Sequence, residues 1–244
     1  MTQANKRLDS STPVRWNSDL NPVSIGGTWL LFFLALPFLE GETTSMETLI
    51  GGGLIGALLI ITGFMAASRV RPALDRSLPR QARFILFAVV TGVAVGVFHM
   101  GSNLILASLD DNVHALLVER FVGRPEWGST FAAAVVEEVA FRLFVLSVVA
   151  WLTFRFIGQR RAAFWVGLLV SMVLFAVPHL WGRPSAGASV VAAVYGGMIL
   201  FNSGLAGCIL GWVFWRWGLL QAMVCHFVVN TMVLLIGPLV LGWW

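Results

Sequence analysis

Charged residues are scarce in this chain, and their scarcity excludes an ordinary soluble domain. Only 11% of the 244 residues are Asp, Glu, Lys or Arg, whereas a soluble domain usually carries about 25%. Hydrophobic residues make up 58% of the chain, and its mean hydropathy is +0.84. The composition therefore predicts an integral membrane protein that forms one polytopic domain in a lipid bilayer.

Cysteines and repeats are also few. The two cysteines, Cys208 and Cys225, both lie in apolar runs, which argues against a disulfide framework. No repeat of solenoid length is visible. The formal net charge of +4 comes largely from basic residues in short loops between apolar runs. That pattern is typical of membrane topology, so we expect no nucleic-acid partner.

Apolar runs long enough to cross a bilayer recur along the chain. A spanning helix needs about 20 mostly apolar residues, and about seven candidates meet this condition. They lie at 23–39, 46–67, 83–109, 128–154, 162–181, 188–215 and 219–243. The first is short and contains Pro37. The predicted fold is an all-α, polytopic transmembrane helix bundle.

The distribution of arginines predicts the orientation of this bundle. Arginines gather in the loops at 69–83 and 155–161, whereas the opposite connections are acidic. The positive-inside rule makes the basic loops cytoplasmic. Residues 1–22 are then a cytoplasmic tail without a visible cleavable signal, and 23–244 form a single transmembrane domain. We expect the protein in the cell membrane.

Three short polar motifs interrupt the apolar runs. They are EEVAFR at 137–142, FAVPH at 175–179 and HFVVN at 226–230. Ionisable groups in hydrocarbon are costly, rare and usually functional. Their joint occurrence on three separate spans predicts an enzymatic site in an intramembrane cavity.

The first motif supplies two carboxylates with different expected roles. Glu138 and Arg142 are four residues apart on one helix face, so they are expected to form a pair that lowers the cost of burying both. Glu137 lies about 100° around the helix and needs another partner: a histidine, a metal ion or trapped water. Such a carboxylate is suited to act as a general base on water.

The other two motifs supply imidazole and amide groups. His226 and Asn230 share one helix face, where they can coordinate a metal or stabilise an oxyanion. His179 follows Pro178, which is expected to distort the helix. Glu137 and His179 fall nearer the outer ends of their spans and His226 nearer the cytoplasmic end. A cavity that reaches the midplane is therefore needed to join them.

Polar and small residues outside the motifs are expected to serve packing. His99, Ser102 and Asn103 predict interhelical hydrogen bonds, and Asn202 with Ser203 is a candidate for the cavity lining. Glycine pairs at 52 and 56, 92 and 96, and 207 and 211 predict close approach of helices. The connection at 110–127 has apolar residues at helical spacing, which predicts an amphipathic surface helix.

The three motifs resemble those of the CPBP family, which comprises CAAX proteases and bacteriocin-processing membrane proteins and is also called ABI. The family pattern is Glu-Glu-x-x-x-Arg, Phe-x-x-x-His and His-x-x-x-Asn or Asp. The matching residues are Glu137, Glu138, Arg142, Phe175, His179, His226 and Asn230. The CPBP-like core covers about 128–243. Leu143, where family members often have glycine, and Pro178 are departures from the pattern.

The resemblance implies a glutamate-dependent endopeptidase that cleaves membrane-associated or lipidated (CAAX-type) proteins or peptides. Glu137 would activate a water molecule held with His179, and His226 with Asn230 would stabilise the tetrahedral oxyanion. The supporting residues would be Glu138, Arg142 and Phe175.

Metal dependence is open at this stage. The family resemblance is compatible with a zinc enzyme and with a metal-independent one. The candidate zinc ligands are Glu137, His179 and His226, but no His-Glu-x-x-His motif is present.

The function also has alternatives. The main one is a non-catalytic bacteriocin-immunity or membrane scaffold protein of the same family. An ion or proton transporter ranks lower, because no inverted repeat is visible. The oligomeric state and the side of substrate access stay open.

Overall fold

The computed structural model describes residues 22–39, 45–71, 78–109, 111–121, 127–180 and 190–241. The predicted tail at 1–22 lies outside these residues except for its last position. Within the described ranges the chain is helical and contains no strand. The predicted all-α class is therefore confirmed.

The described residues form ten α-helical segments. In chain order they are α1 (Pro22–Ala35), α2 (Met46–Val70), α3 (Leu78–Leu109), α4 (Asp111–Phe121), α5 (Trp127–Glu137), α6 (Ser147–Ile157), α7 (Arg160–Ala176), α8 (Val190–Trp217), α9 (Leu219–Asn230) and α10 (Gly237–Leu241). Two short 3₁₀ turns follow α1 and α7, at Leu36–Phe38 and Val177–Leu180.

Two pairs of these segments are parts of longer helices that contain a π-helical stretch. Glu138–Leu146 joins α5 to α6, and Thr231–Ile236 joins α9 to α10. In a π-helix each N–H bonds to the carbonyl five residues back, so each turn is wider than an α-helical turn; such stretches are rare and frequent at functional sites. Helix spacing in the sequence did not predict either stretch.

Five helices are long and apolar enough to cross a membrane. They are Met46–Val70, Gln81–Leu109, Arg160–Leu180, Ala193–Trp217 and Leu219–Leu239. The continuous helix at 127–157 rises by roughly 45 Å at about 1.5 Å per residue, which exceeds the hydrocarbon thickness of about 30 Å. The shorter apolar helix Pro22–Phe38 makes a seventh candidate. The predicted transmembrane bundle is confirmed.

Glycines permit the tight connections of this bundle. Gly158 ends α6 with φ of 73°, and Gly218 separates α8 from α9 with φ of 116°. Both values lie where a Cβ is strongly disfavoured. The two glycines therefore let consecutive spans reverse direction within very short links.

Close helix contacts surround the first π-helical stretch. A Cβ on Gly63 of α2 would lie 2.6 Å from the carbonyl oxygen of Leu143. A Cβ on Gly92 of α3 would lie 2.7 Å from the carbonyl oxygen of Cys225 in α9. The predicted close approach is confirmed at all three glycine pairs, 52 and 56, 92 and 96, and 207 and 211. The largest apolar core includes Leu143 of this stretch.

The amphipathic segment after α3 is the helix α4. Its residues Val113 and Leu117 are only 2% and 1% exposed, because they pack against Tyr195, Met198 and Ile199 of α8. Leu117 also lines an internal cavity. The predicted helix is confirmed, and its apolar side packs on the bundle.

Candidate active site

All three polar motifs meet at one internal cavity of about 220 Å³. This volume accommodates several water molecules or part of a peptide. The motif residues that line it are Glu137, Phe175, His179, His226 and Asn230. They come from α5, from the end of α7 and its 3₁₀ turn, and from α9. The predicted gathering of the motifs in an intramembrane cavity is therefore found.

Glu138 does not line the cavity, but it contacts two residues of the site. Its Oε1 lies 3.2 Å from Nη1 of Arg142 and accepts a hydrogen bond of 2.8 Å from Nδ1–H of His226. Glu138 and Arg142 are both fully buried. The pair expected from the helix spacing is thus present, and it also fixes the ring of His226.

Arg142 has two kinds of compensation for its buried charge. Its guanidinium makes no hydrogen bond in the described part of the chain, so the carboxylate of Glu138 compensates it electrostatically. The guanidinium carbon also lies 4.1 Å from the ring centroid of Phe175, within the range of a cation–π interaction. The phenylalanine of the second motif therefore packs against the arginine of the first.

Phe175 connects the three motifs through its ring. Its centroid lies 5.7 Å from the ring of His226 and 4.9 Å from the ring of His179. It also meets Phe141 edge to face at 5.5 Å. Because Phe175 is only 3% exposed, it fixes the relative positions of both imidazoles and shields the ion pair behind them.

Glu137 is the acid that faces the cavity. Among the described lining residues it is the only carboxylate, and its side chain is 30% exposed. Its Oε2 lies 3.7 Å from Nε2 of His226, which is beyond hydrogen-bond distance. That oxygen has no hydrogen-bond partner within the described ranges. Of the partners considered for Glu137, the structure supplies a histidine.

His226 links the two carboxylates. Its Nδ1 is directed at Glu138 and its Nε2 at Glu137, and the residue is 3% exposed. A proton on Nδ1 is fixed by the bond to the carboxylate, which leaves Nε2 as the functional nitrogen. The different expected depths of Glu137 and His226 are reconciled, because the cavity joins them. Asn230, one turn further along the helix, lines the same cavity.

His179 lies just beyond the end of α7. The α-helix stops at Ala176, and the chain continues through the 3₁₀ turn that contains Pro178. The expected distortion is therefore present. Nδ1–H of His179 donates a hydrogen bond of 2.8 Å to the carbonyl oxygen of Phe175. This bond fixes the tautomer of the ring and directs its chemistry to Nε2.

A second polar wall of the cavity was only partly predicted. His99 and Asn103 of α3 and Asn202 and Ser203 of α8 all line it. The predicted interhelical bonding is confirmed for His99, whose Nε2–H donates to the carbonyl oxygen of Asn202 at 2.8 Å, and for Ser102, which bonds to the Asn202 side chain. It is not found for Asn103 within the described residues. Asn202 and Ser203 were candidates for the lining, whereas His99 and Asn103 were not. Their spacing of four residues places both on one face of α3 and is the signal that could have found them.

No metal-binding group is found among the residues that the structure describes. Within these residues no three His, Cys, Asp or Glu side chains are grouped closely enough to hold a metal ion. The proposed ligand set of Glu137, His179 and His226 is therefore not supported, and the chemistry below is derived without a metal.

A carboxylate, two oriented imidazoles and an amide around one cavity of a helical membrane bundle are groups that can carry out hydrolysis. Residues 127–232 match the model of one family, described as Type II CAAX prenyl endopeptidase Rce1-like. Over this segment the resemblance to the CPBP family is confirmed. No curated protein and no solved structure matches the chain.

Proposed function

We propose that this protein is an intramembrane endopeptidase that hydrolyses a peptide bond with water activated by Glu137. The substrate is a membrane-associated or lipidated (CAAX-type) protein or peptide. The single observation that supports the proposal best is the contrast between the two adjacent acids. Glu138 is fully buried against a cation and an imidazole, whereas the side chain of Glu137 is 30% exposed and lines the cavity.

The proposed reaction begins with a water molecule beside Glu137. The carboxylate takes a proton from the water as the water oxygen bonds to the carbonyl carbon of the substrate, and the carbonyl oxygen becomes an oxyanion. When this intermediate collapses, the C–N bond breaks and the amine nitrogen takes the proton from Glu137. The products are a carboxylic acid and an amine, and Glu137 is again a carboxylate.

In the proposed reaction His226 and Asn230 stabilise the oxyanion. Both line the cavity one helical turn apart, and preorganised donors in a water-poor site contribute strongly to catalysis. Nε2 of His226 is directed at Glu137 beside the cavity, and the side-chain amide of Asn230 supplies N–H donors.

In the proposed reaction His179 holds the attacking water. With its Nδ1–H directed at the carbonyl oxygen of Phe175, the lone pair of Nε2 can accept a hydrogen bond from water. Orientation of a nucleophile in this way contributes as much as its activation. Phe175 keeps the ring of His179 in position and supports Arg142 at the same time.

The proposal is tested by comparing protein termini in membranes that contain the wild type or Glu137→Gln at matched amounts. The amide keeps the size of the side chain but cannot accept the proton of water. We expect termini that appear with the wild type and are absent with Glu137→Gln. Those termini would also identify the substrate and the depth of cleavage.

A matched control uses the same chemical change outside the cavity. Glu47 lies exposed in the first turn of α2, and Glu47→Gln should give the wild-type set of termini. If a folded Glu137→Gln protein produces the same termini as the wild type, glutamate-dependent proteolysis is wrong. A folded variant that still supports the biological role of the protein would instead favour the immunity or scaffold alternative.

A further inference from the structure

The second polar wall of the cavity contains more hydrogen-bonding capacity than the protein uses. We call His99 and Asn103 of α3 together with Asn202 and Ser203 of α8 the α3–α8 wall. All four line the cavity with the catalytic candidates. None of them belongs to the three motifs, and the reaction outlined above does not employ them.

Part of this wall is an internal network that joins the two helices. Nε2–H of His99 donates to the carbonyl oxygen of Asn202, and the side-chain amide of Asn202 donates to Oγ of Ser102 at 2.9 Å. Ser102 in turn donates to the carbonyl oxygen of His99 at 2.9 Å. These bonds hold α3 and α8 in register and make the wall rigid.

The remaining side chains of the wall have no hydrogen-bond partner among the residues that the structure describes. The side chains of Asn103 and Ser203 are each only 8% exposed, and both line the cavity. Neither makes a hydrogen bond to any part of the chain that the structure describes. The amide of Asn103 and the hydroxyl of Ser203 are therefore available to a ligand or to ordered water in the cavity.

The chemistry of this wall favours a neutral ligand. Its unpartnered groups are an amide and a hydroxyl, which both donate and accept. No Lys or Arg among the described residues lines the cavity, so the described lining provides no fixed cation for a carboxylate or phosphate. A neutral group that both donates and accepts is the best match, and a peptide bond is such a group.

A substrate segment inside the bilayer needs this kind of partner. Cleavage requires an extended main chain, whose N–H and C=O groups lose their helical bonds and find no water in hydrocarbon. The edge of a β-sheet can form hydrogen bonds with such an extended segment. The described residues form helices only, and the N–H and C=O groups of a helix already bond to each other. Side chains must therefore provide the hydrogen bonds.

We propose that the α3–α8 wall binds the main chain of the extended substrate beside the scissile bond, with Asn103 and Ser203 as its hydrogen-bonding residues. This inference rests on the proposed endopeptidase function and adds to it a substrate-positioning site. The wall recognises peptide bonds rather than side chains, so it holds substrates of different sequence in the same register.

The test uses Asn103→Leu, which removes the amide at nearly constant volume, and Ser203→Ala. The probe is a synthetic peptide that spans a cleavage site found only with the wild type. Loss of one hydrogen bond of ordinary strength should raise KM roughly 3- to 10-fold, while kcat changes less than about 2-fold, because the catalytic groups are intact. Ser108→Ala is the matched control, since Ser108 is exposed on α3 and bonds only within its own helix.

Backbone-ester analogues of the probe make the test specific. Each analogue replaces one substrate N–H by oxygen. At the position that contacts Asn103, the ester should weaken binding to the wild type and cause no further loss in Asn103→Leu. The inference is wrong if every ester weakens binding by the same factor in Asn103→Leu as in the wild type. It is also wrong if the KM of the folded Asn103→Leu variant equals that of the wild type.

The two proposals fail in different ways. If Glu137→Gln abolishes cleavage while Asn103→Leu and Ser203→Ala both behave like the wild type, only the positioning site is refuted. If no protein termini depend on the presence of the wild type, the proposed endopeptidase function is refuted. The substrate-positioning site is then refuted as well.

Discussion

The ion pair behind the catalytic cavity allows a quantitative prediction. Glu138 and Arg142 are fully buried and 3.2 Å apart. At an effective dielectric constant of about 20, two unit charges at that distance attract by about 5 kcal/mol. Removal of one partner from a buried pair typically costs about 3–5 kcal/mol, because the other charge stays buried without compensation. Glu138→Leu and Arg142→Met should each destabilise the protein by about this amount.

The double variant separates this electrostatic effect from simple loss of packing. With both charges removed, only the Nδ1–H of His226 loses a partner, which costs about 1–3 kcal/mol. The double variant Glu138→Leu with Arg142→Met should therefore be at least about as stable as the more stable of the two single variants. Two independent sites would instead give the sum of the single losses.

Unfolding in detergent provides the assay. Tryptophan is abundant, with 11 residues in the chain, so its fluorescence can report denaturant or thermal unfolding. A double variant whose loss equals the sum of the single losses would refute the view that Glu138 neutralises Arg142. Single losses below about 1 kcal/mol would refute it as well, since that is the range of exposed pairs.

Two other contacts give further predictions. Gly63→Ala should destabilise the protein by about 1–3 kcal/mol, because the new Cβ would lie 2.6 Å from a backbone oxygen of the facing π-helical stretch; Gly101→Ala, with nothing within 4 Å, should be nearly neutral in the same unfolding assay. Arg71→Met should cost about 1.5–3 kcal/mol, since the guanidinium donates a buried hydrogen bond of 2.7 Å to the carbonyl oxygen of Phe214, and an equal loss in the exposed Arg69→Met would contradict this reasoning.

Local patterns in the sequence predicted much of the fold and part of the site. The pairing of Glu138 with Arg142 depends only on a spacing of four residues within one helix, and it is found. The same holds for the turn at Pro178 and for the helix α4, whose apolar residues recur at helical spacing. The membrane spans follow from composition alone.

Contacts between helices could not be predicted in the same way. The position of His226 between Glu137 and Glu138 depends on how α9 crosses the first π-helical stretch, and no spacing in the sequence records that crossing. The contact of Arg142 with Phe175 has the same origin. His99 and Asn103 carried a weak periodic signal, but their place in the cavity wall depends on the packing of α3 near α8.

The π-helical stretches at Glu138–Leu146 and Thr231–Ile236 have a consequence for comparing this chain with others. In a π-helical stretch each hydrogen bond spans five residues, whereas in an α-helix it spans four. The stretch therefore has the effect of one amino acid inserted into an α-helix. In a relative whose corresponding helix is α-helical throughout, the motifs will line up only if the alignment opens a gap of one position there. Gap-free scoring across these helices would then pair Glu137 with the wrong column and miss a shared active site.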